Sequence, residues 1–150
     1  MKNFKTKSAV AAGHQCPVTA GGPSLAIARF GQPIAVADHV AGVAGVVGVL
    51  PAGCVPFSLT VFAPALGDGF KASLGLRDPA TGGISTLAND GGAPWVDGND
   101  TGAAGGIVQL TTVPMAKVHP SDEDRELMLV IDAPGAAAGL FSVTLAFSNA

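Results

Sequence analysis

The chain is organised around the stretch Leu50-Pro51-Ala52-Gly53-Cys54-Val55-Pro56-Phe57-Ser58-Leu59-Thr60-Val61-Phe62. Its Pro-Ala-Gly turn ends one apolar run and begins a segment in which side chains alternate. The alternation predicts one face formed by Val55, Phe57, Leu59 and Val61, and an opposite face formed by Pro56, Ser58, Thr60 and Phe62. A period of two over this length is typical of a β-strand with one face on a core.

Turn residues recur after this strand at the spacing of an all-β sandwich or barrel. Leu127–Ile131 is apolar enough to be a central strand covered on both faces. We expect Ile107–Val113 to be a strand, with Pro114–Val118 continuing it or pairing with it as a hairpin. The last strand places four large side chains on one face: Phe141, Val143, Leu145 and Phe147. The pattern predicts an all-β fold, an antiparallel two-sheet β-sandwich, jelly-roll-like, with an extended N-terminal arm.

The first 32 residues contain closely spaced glycines and prolines that interrupt any helical or strand period. We predict an extended N-terminal arm over residues 1–32 and a β-sandwich domain over residues 33–150. Ser24–Phe30 is the piece of the arm that is able to pair as a strand. We expect the arm to be ordered only where another chain supplies the contacts. In Val40–Val49 the repeated glycines indicate a strand with bulges or close backbone approach rather than a phosphate loop.

Charge is scarce and unevenly distributed along the chain. Charged residues make up 13% of the sequence, about half the usual share, which favours a surface covered by partners over a freely soluble enzyme. Residues 1–50 carry a net charge of +3 and residues 51–150 a net charge of −6. The basic arm therefore predicts contact with an acidic surface, with solvated terminal lysines as the alternative. Nucleic acid is not an expected partner, because the basic run is short and the body is acidic.

We expect no membrane span, no signal peptide and synthesis in a cytoplasm. The sequence has no run of 18 apolar residues, and the apolar run Ala9–Ala12 is too short for a signal peptide. Cys16 and Cys54 do not form a disulfide framework, and we expect both thiols to stay reduced. Cys54 is predicted to be a small buried side chain at the start of a strand.

No group of residues points to catalysis, to a cofactor or to a metal. Asp97–Asp100 lacks the spacing of a calcium loop and is typical of a turn. Asp122–Asp124 is interpreted as a solvated turn, and His14 with Cys16 has no second ligand pair for zinc. Trp95, the single tryptophan, lies in a long Gly/Asp-rich loop. Two hypotheses remain for it, a lid on the core or an anchor in a partner's pocket.

Three segments carry a resemblance to a known class of proteins. They are Leu50-Pro51-Ala52-Gly53-Cys54-Val55-Pro56 with the following strand, Asp90-Gly91-Gly92-Ala93-Pro94-Trp95, and His119-Pro120-Ser121-Asp122-Glu123-Asp124-Arg125 with the apolar strands after it. Together they cover about residues 50–150, and they resemble small structural proteins of tailed-phage virions, of the capsid decoration or head auxiliary type. The arm is not part of the resemblance.

The resemblance implies a protein made in the bacterial host cytoplasm and placed on the capsid exterior, where it decorates and stabilises the shell. It implies a homotrimer whose arm lies on the major capsid protein. The residues we predict for capsid contact are Lys2, Phe4, Lys5, Lys7, Leu25, Ile27, Arg29 and Phe30. The alternatives are a phage fibre, collar or tail component, and a carbohydrate-binding β-sandwich module. An enzyme is the least favoured class.

Overall fold

A computed structural model describes residues 2–12 and 25–149, and within them the fold is a sandwich of two β-sheets. The first sheet has the strand order β1 (Lys2–Asn3), β3 (Val43–Leu50), β8 (Arg125–Ala133), β5 (Lys71–Leu76) and β6 (Val96–Asn99). The second sheet has the order β2 (Leu25–Ile34), β9 (Gly139–Asn149), β4 (Cys54–Ala63) and β7 (Gly106–Leu110). Neighbouring strands are antiparallel, except that β1 is parallel to β3. The predicted all-β, two-sheet sandwich is confirmed.

In residues 2–12 and 25–149, helical structure is limited to single turns in the connections. These are 3₁₀ turns at Val36–Asp38 and Ala88–Asp90 and four-residue helices α1 (Thr101–Ala104) and α2 (Val113–Ala116). The prediction that Pro114–Val118 extends or pairs with a strand is wrong, because its first three residues lie in α2. Pro114 lies in the first turn of α2, where its missing N–H costs no helical hydrogen bond.

The core lies between the two sheets and is built from alternate residues of facing strands. The four side chains predicted for one face of the last strand are all buried: Phe141, Val143, Leu145 and Phe147. The facing layer includes Leu127, Leu129 and Ile131 of β8, which lies between β3 and β5. The central position predicted for this apolar strand is confirmed. Burying each such side chain stabilises the folded state by about 1.5–3 kcal/mol relative to leaving it exposed to water.

The predicted faces of β4 are wrong in the first half of the strand. The pairing of β4 with β9 shifts between Pro56 and Ser58, so Phe57 is the extra residue of a β-bulge. A bulge reverses the face that the preceding residues occupy. Phe57 therefore points to solvent with 60% of its surface exposed, whereas Leu59 and Val61 point into the core as predicted.

The N-terminal segment, residues 2–12, is ordered by contacts with its own chain, which corrects the expectation that only another chain would order it. Phe4 is buried, and a Cβ added at Gly45 would lie 2.8 Å from its Cδ2 atom. Hydrogen bonds hold the segment at three further points: Lys5 N to Asp38 Oδ1 (2.8 Å), Ser8 Oγ to the Val46 carbonyl (2.6 Å) and Gln32 Nε2 to the Thr6 carbonyl (2.7 Å). The missing side chain of Gly45 thus makes room for the ring of Phe4.

Strand β2 includes most of the segment that was predicted to be able to pair. It pairs with β9 without a break from Leu25 to Ile34. It therefore runs across residue 32, where we placed the boundary between arm and sandwich. The two-part division itself stays a prediction, with residues 25–32 lying in the second sheet.

Candidate functional site

Arg125 joins three loops at one end of the sandwich. Its Nη1 forms an ion pair with Asp90 Oδ1 at 3.0 Å, and its Nη2 donates to the His119 carbonyl at 2.7 Å and towards the Cys54 carbonyl at 3.5 Å. These partners belong to the three sequence segments that carry the resemblance. The same end is closed by Gly53, whose N–H donates to the Ser121 carbonyl at 2.7 Å and whose φ of +75° favours glycine.

Asp90 uses its remaining polar atoms to hold the loop that contains Trp95. The Ser85 hydroxyl donates to Asp90 Oδ2 at 2.6 Å, and Trp95 Nε1 donates to the Asp90 carbonyl at 3.0 Å. Trp95 is 1% exposed and lies in the core. The lid hypothesis is therefore the one that the structure shows, and the ring has no surface to offer as a partner anchor. Indole rings are commonly buried this way when the N–H finds an acceptor.

The charged atoms of this cluster are directed at each other. The side chains of Arg125 and Asp90 are 13% and 11% exposed, and a surface depression of about 590 Å³ lies beside them. Asp122 and Ser121 line that depression, and Ser121 Oγ accepts the Glu123 N–H at 3.2 Å. The arrangement is that of a structural clamp between loops, and Asp122–Asp124 forms the exposed turn predicted from the sequence.

A second polar cluster lies on the outer side of the first sheet. The buried Ser73 hydroxyl donates to Asp132, lies 3.3 Å from Asp97 Oδ1 and accepts the Gly98 N–H at 3.0 Å. Nearby, Asn99 Oδ1 accepts the Thr101 N–H at 3.1 Å. The prediction that Asp97–Asp100 forms a turn is wrong for its first three residues, because they lie in strand β6. Among the described residues, His, Cys, Asp and Glu side chains form no group of three able to hold a metal ion. His14 and Cys16 lie outside the described residues.

The structure divides the predicted capsid-contact residues into exposed and buried sets. The exposed residues are Lys2, Lys5 and Lys7 in the N-terminal segment and Leu25, Ile27 and Arg29 on β2. Phe4 and Phe30 are 7% and 2% exposed, and both belong to the core. Their rings are therefore occupied by contacts within the chain, while contact of the exposed set with a capsid stays a prediction.

The sequence did not single out several apolar residues that the structure leaves exposed. Phe57, Phe62, Ile107 and Leu140 are all exposed, and all lie on strands of the second sheet. The alternation of β4 places Phe62 outside, but the bulge that turns Phe57 outwards leaves no mark in the sequence. Cys54, in contrast, is fully buried at the start of β4 as predicted, with its Sγ 3.4 Å from Asn149 Oδ1.

No protein-family model matches this chain, and no curated protein has a similar sequence. In the described residues no helix is long and apolar enough to span a membrane. Solved structures do share the fold. A chain of the capsid of Ralstonia phage GP4 matches with a TM-score of 0.77 and 19% identity, over 96% of this chain and 97% of that one. A chain of the cyanophage Pam1 capsid asymmetric unit matches with a TM-score of 0.56 and 14% identity, over 91% and 92%. At these identities the likeness shows a common fold, and the fold is one that phage capsids use.

Proposed function

We propose that this protein is a structural component of a phage virion that decorates and stabilises the capsid. The observation that carries the proposal is the match of nearly the whole chain, end to end, to a chain of a phage capsid. The resemblance of residues 50–150 to head decoration proteins supports it, because the three segments of that resemblance converge on Arg125 in the fold.

The strand order supports the same class of protein. Successive strands from β2 to β5 alternate between the sheets, and so do β6 to β9, giving sheets ordered β2-β9-β4-β7 and β3-β8-β5-β6. This double Greek key is the connectivity of the jelly roll, which viral capsid domains use. We infer that the jelly-roll part of the predicted fold applies to this chain.

In the proposed role the protein lies on the capsid exterior as a homotrimer and contacts the major capsid protein. Its work is mechanical, since area buried across the joints between capsid subunits opposes the outward pressure of packaged DNA. The exposed lysines Lys2, Lys5 and Lys7 and the β2 residues Leu25, Ile27 and Arg29 are the proposed contact residues. Charged residues at the rim of such an interface steer association more than they add affinity.

One observation favours a second candidate, a carbohydrate-binding module. Phe57 and Phe62 are exposed on one face of the second sheet, and such modules use exposed aromatic rings as platforms for sugars. A fibre, collar or tail component is a third candidate within the virion. We rank decoration first because the compared structures come from capsids.

The test mixes the purified protein with expanded capsids that lack it and measures occupancy by electron cryomicroscopy and co-sedimentation. We expect saturable binding at defined positions and a rise in the temperature at which the capsid opens. The proposal would be refuted if the protein did not bind capsids and instead bound a glycan array or copurified with tails.

A charge-reversed variant tests the lysine contact separately. Lys2→Glu, Lys5→Glu and Lys7→Glu combined should weaken binding by about tenfold at low salt, since long-range attraction to an acidic surface is lost. Lys71→Glu with Lys117→Glu places charge reversal at other exposed positions and is expected to bind normally. Equal binding of both variants would remove the lysines from the contact.

A further inference from the structure

The exposed apolar side chains of this protein are concentrated on one sheet. Among the described residues, the large apolar side chains with at least 40% exposure include six on the strands of the second sheet: Leu25, Ile27, Phe57, Phe62, Ile107 and Leu140. The remaining four are scattered over connections and short helical turns, namely Val36, Val40, Leu87 and Val113. Scattered exposed apolar residues are ordinary, whereas a concentration on one sheet indicates an interaction surface.

Strand register places these residues on the same side of the sheet. Gly31 of β2 is aligned with Ser142 of β9, which is aligned with Phe62 of β4 and then Ile107 of β7. Residues aligned across strands point to the same face. The row containing Ile27 continues through Ala146 to Ser58, next to the bulged Phe57. We call this surface, formed by the outward residues of β2, β9, β4 and β7, the outer face of the second sheet.

This face is almost without charge. In the described chain its rows consist of apolar residues, small residues, Ser, Thr and Gln109, and its one charged residue is Arg29 on the edge strand β2. A charge at the rim and an apolar centre is the usual anatomy of a protein–protein interface. Nucleic acid and anionic membranes need clusters of cations, so the chemistry of the face fits neither.

The size of the face matches one side of a specific interface. Strands β2, β9 and β4 have about ten residues each and β7 has five, which at about 3.3 Å per residue and about 4.8 Å between strands gives roughly 550 Å². Interfaces of standard size bury about 800 Å² on each partner, so this face supplies most of one side. Monomeric proteins rarely expose apolar patches larger than roughly a few hundred Å², and the largest patches often have a function.

We propose that the outer face of the second sheet is the surface that seats on the protein shell of the capsid, an inference that rests on the proposed function. Its occupant is a protein surface of low charge with apolar side chains. A second copy of this chain fits less well, since stable homodimers bury about 1,000 Å² or more on each subunit, which is more than this face offers.

The test compares two triple variants with matched chemistry. Ile27→Ser, Phe57→Ser and Phe62→Ser combined remove apolar surface from the face, whereas Val36→Ser, Leu87→Ser and Val113→Ser remove similar exposed side chains elsewhere. The first variant should bind capsids about 100-fold more weakly, because a few large side chains carry most of the binding energy of an interface. The second should bind within about twofold of the original protein. Circular dichroism and thermal unfolding check that both remain folded.

The outcomes separate this inference from the function on which it rests. Failure of the unmodified protein to bind capsids would refute the proposed function. Normal binding of both the unmodified protein and the first variant would show that the outer face of the second sheet is not the contact surface. The proposed function would then still hold. If light scattering shows that the first variant has a lower mass than the unmodified protein, the face binds a second copy and the inference is wrong. If the unmodified protein binds glycans or vesicles and the first variant does not, the face binds that ligand instead and the inference is likewise wrong.

Discussion

The outer faces of the two sheets are treated in opposite ways by the same chain. The first sheet is covered by its own connections: a Cβ added at Gly75 would lie 2.6 Å from Ile84 Cγ2 and 3.5 Å from the Pro94 backbone. The N-terminal segment covers the β3 edge of the same sheet through Phe4. The second sheet has no comparable cover within residues 2–12 and 25–149, and its outward Phe57 and Ile107 remain exposed.

Charge follows the same division. The outer side of the first sheet exposes Lys71, Asp97, Glu126 and Asp132, while the outer face of the second sheet carries Arg29. The connections of this sandwich cover the outer face of one sheet only. Apolar side chains that stay exposed on the other sheet are unfavourable in water unless another surface covers them. Connections of the same chain therefore cover the first sheet, whereas we propose that the protein shell of the capsid covers the second sheet.

The largest loss of stability is expected for Trp95, which lies in the core and belongs to a connection that covers the first sheet. Trp95→Ala should lower the free energy of unfolding by about 3–5 kcal/mol, because it empties a fully buried site. Thermal or urea unfolding measures it. The control is Phe57→Ala on the bare face, which should change stability by about 0.5 kcal/mol or less. Equal losses for the two variants would break the comparison.

A smaller effect is expected for the clamp that fixes the covering loops. Arg125→Ala should cost about 3 kcal/mol, since it leaves the carboxylate of Asp90 buried without its cation. The control Lys117→Ala removes an exposed cation and should have no measurable effect. Chemical unfolding that places both variants within experimental error of the original protein would show that the ion pair contributes nothing.

The smallest loss of stability is expected for a change in the N-terminal segment. Phe4→Ala should cost about 1–2 kcal/mol, because the segment is able to undock locally while the sandwich stays folded. Trypsin should then cleave after Lys5 and Lys7 at least several times faster. Val36→Ala, a change at an exposed apolar residue, supplies the control. An unchanged cleavage rate would mean that Phe4 does not hold the segment.

Much of the fold could be predicted because alternation reports burial directly. The buried set of β9 and the central position of β8 both follow from side-chain patterns within single strands. The faces of β4 could not be predicted through the bulge at Phe57, since one extra residue changes the register without changing composition. The helical turn at Pro114 was missed because four residues are too few for a period.

The candidate site was less predictable than the fold. The sequence singled out Trp95 and the lysines, but burial of Trp95 depends on Asp90, Ser85 and Arg125, which are brought together only in three dimensions. Exposure of the second sheet's face likewise depends on where the connections lie, and local pattern does not contain that information.

Sequence alone determined that this chain forms a two-sheet β-sandwich, because a period of two and regularly spaced turns allow few other packings. The stretch Leu50–Phe62 remains its clearest strand signal. Tertiary structure alone decided which sheet is covered and which is bare, and that Phe4, Phe30 and Trp95 serve the core. The physical reason is that burial is a property of what packs against a residue, and those neighbours are distant in sequence.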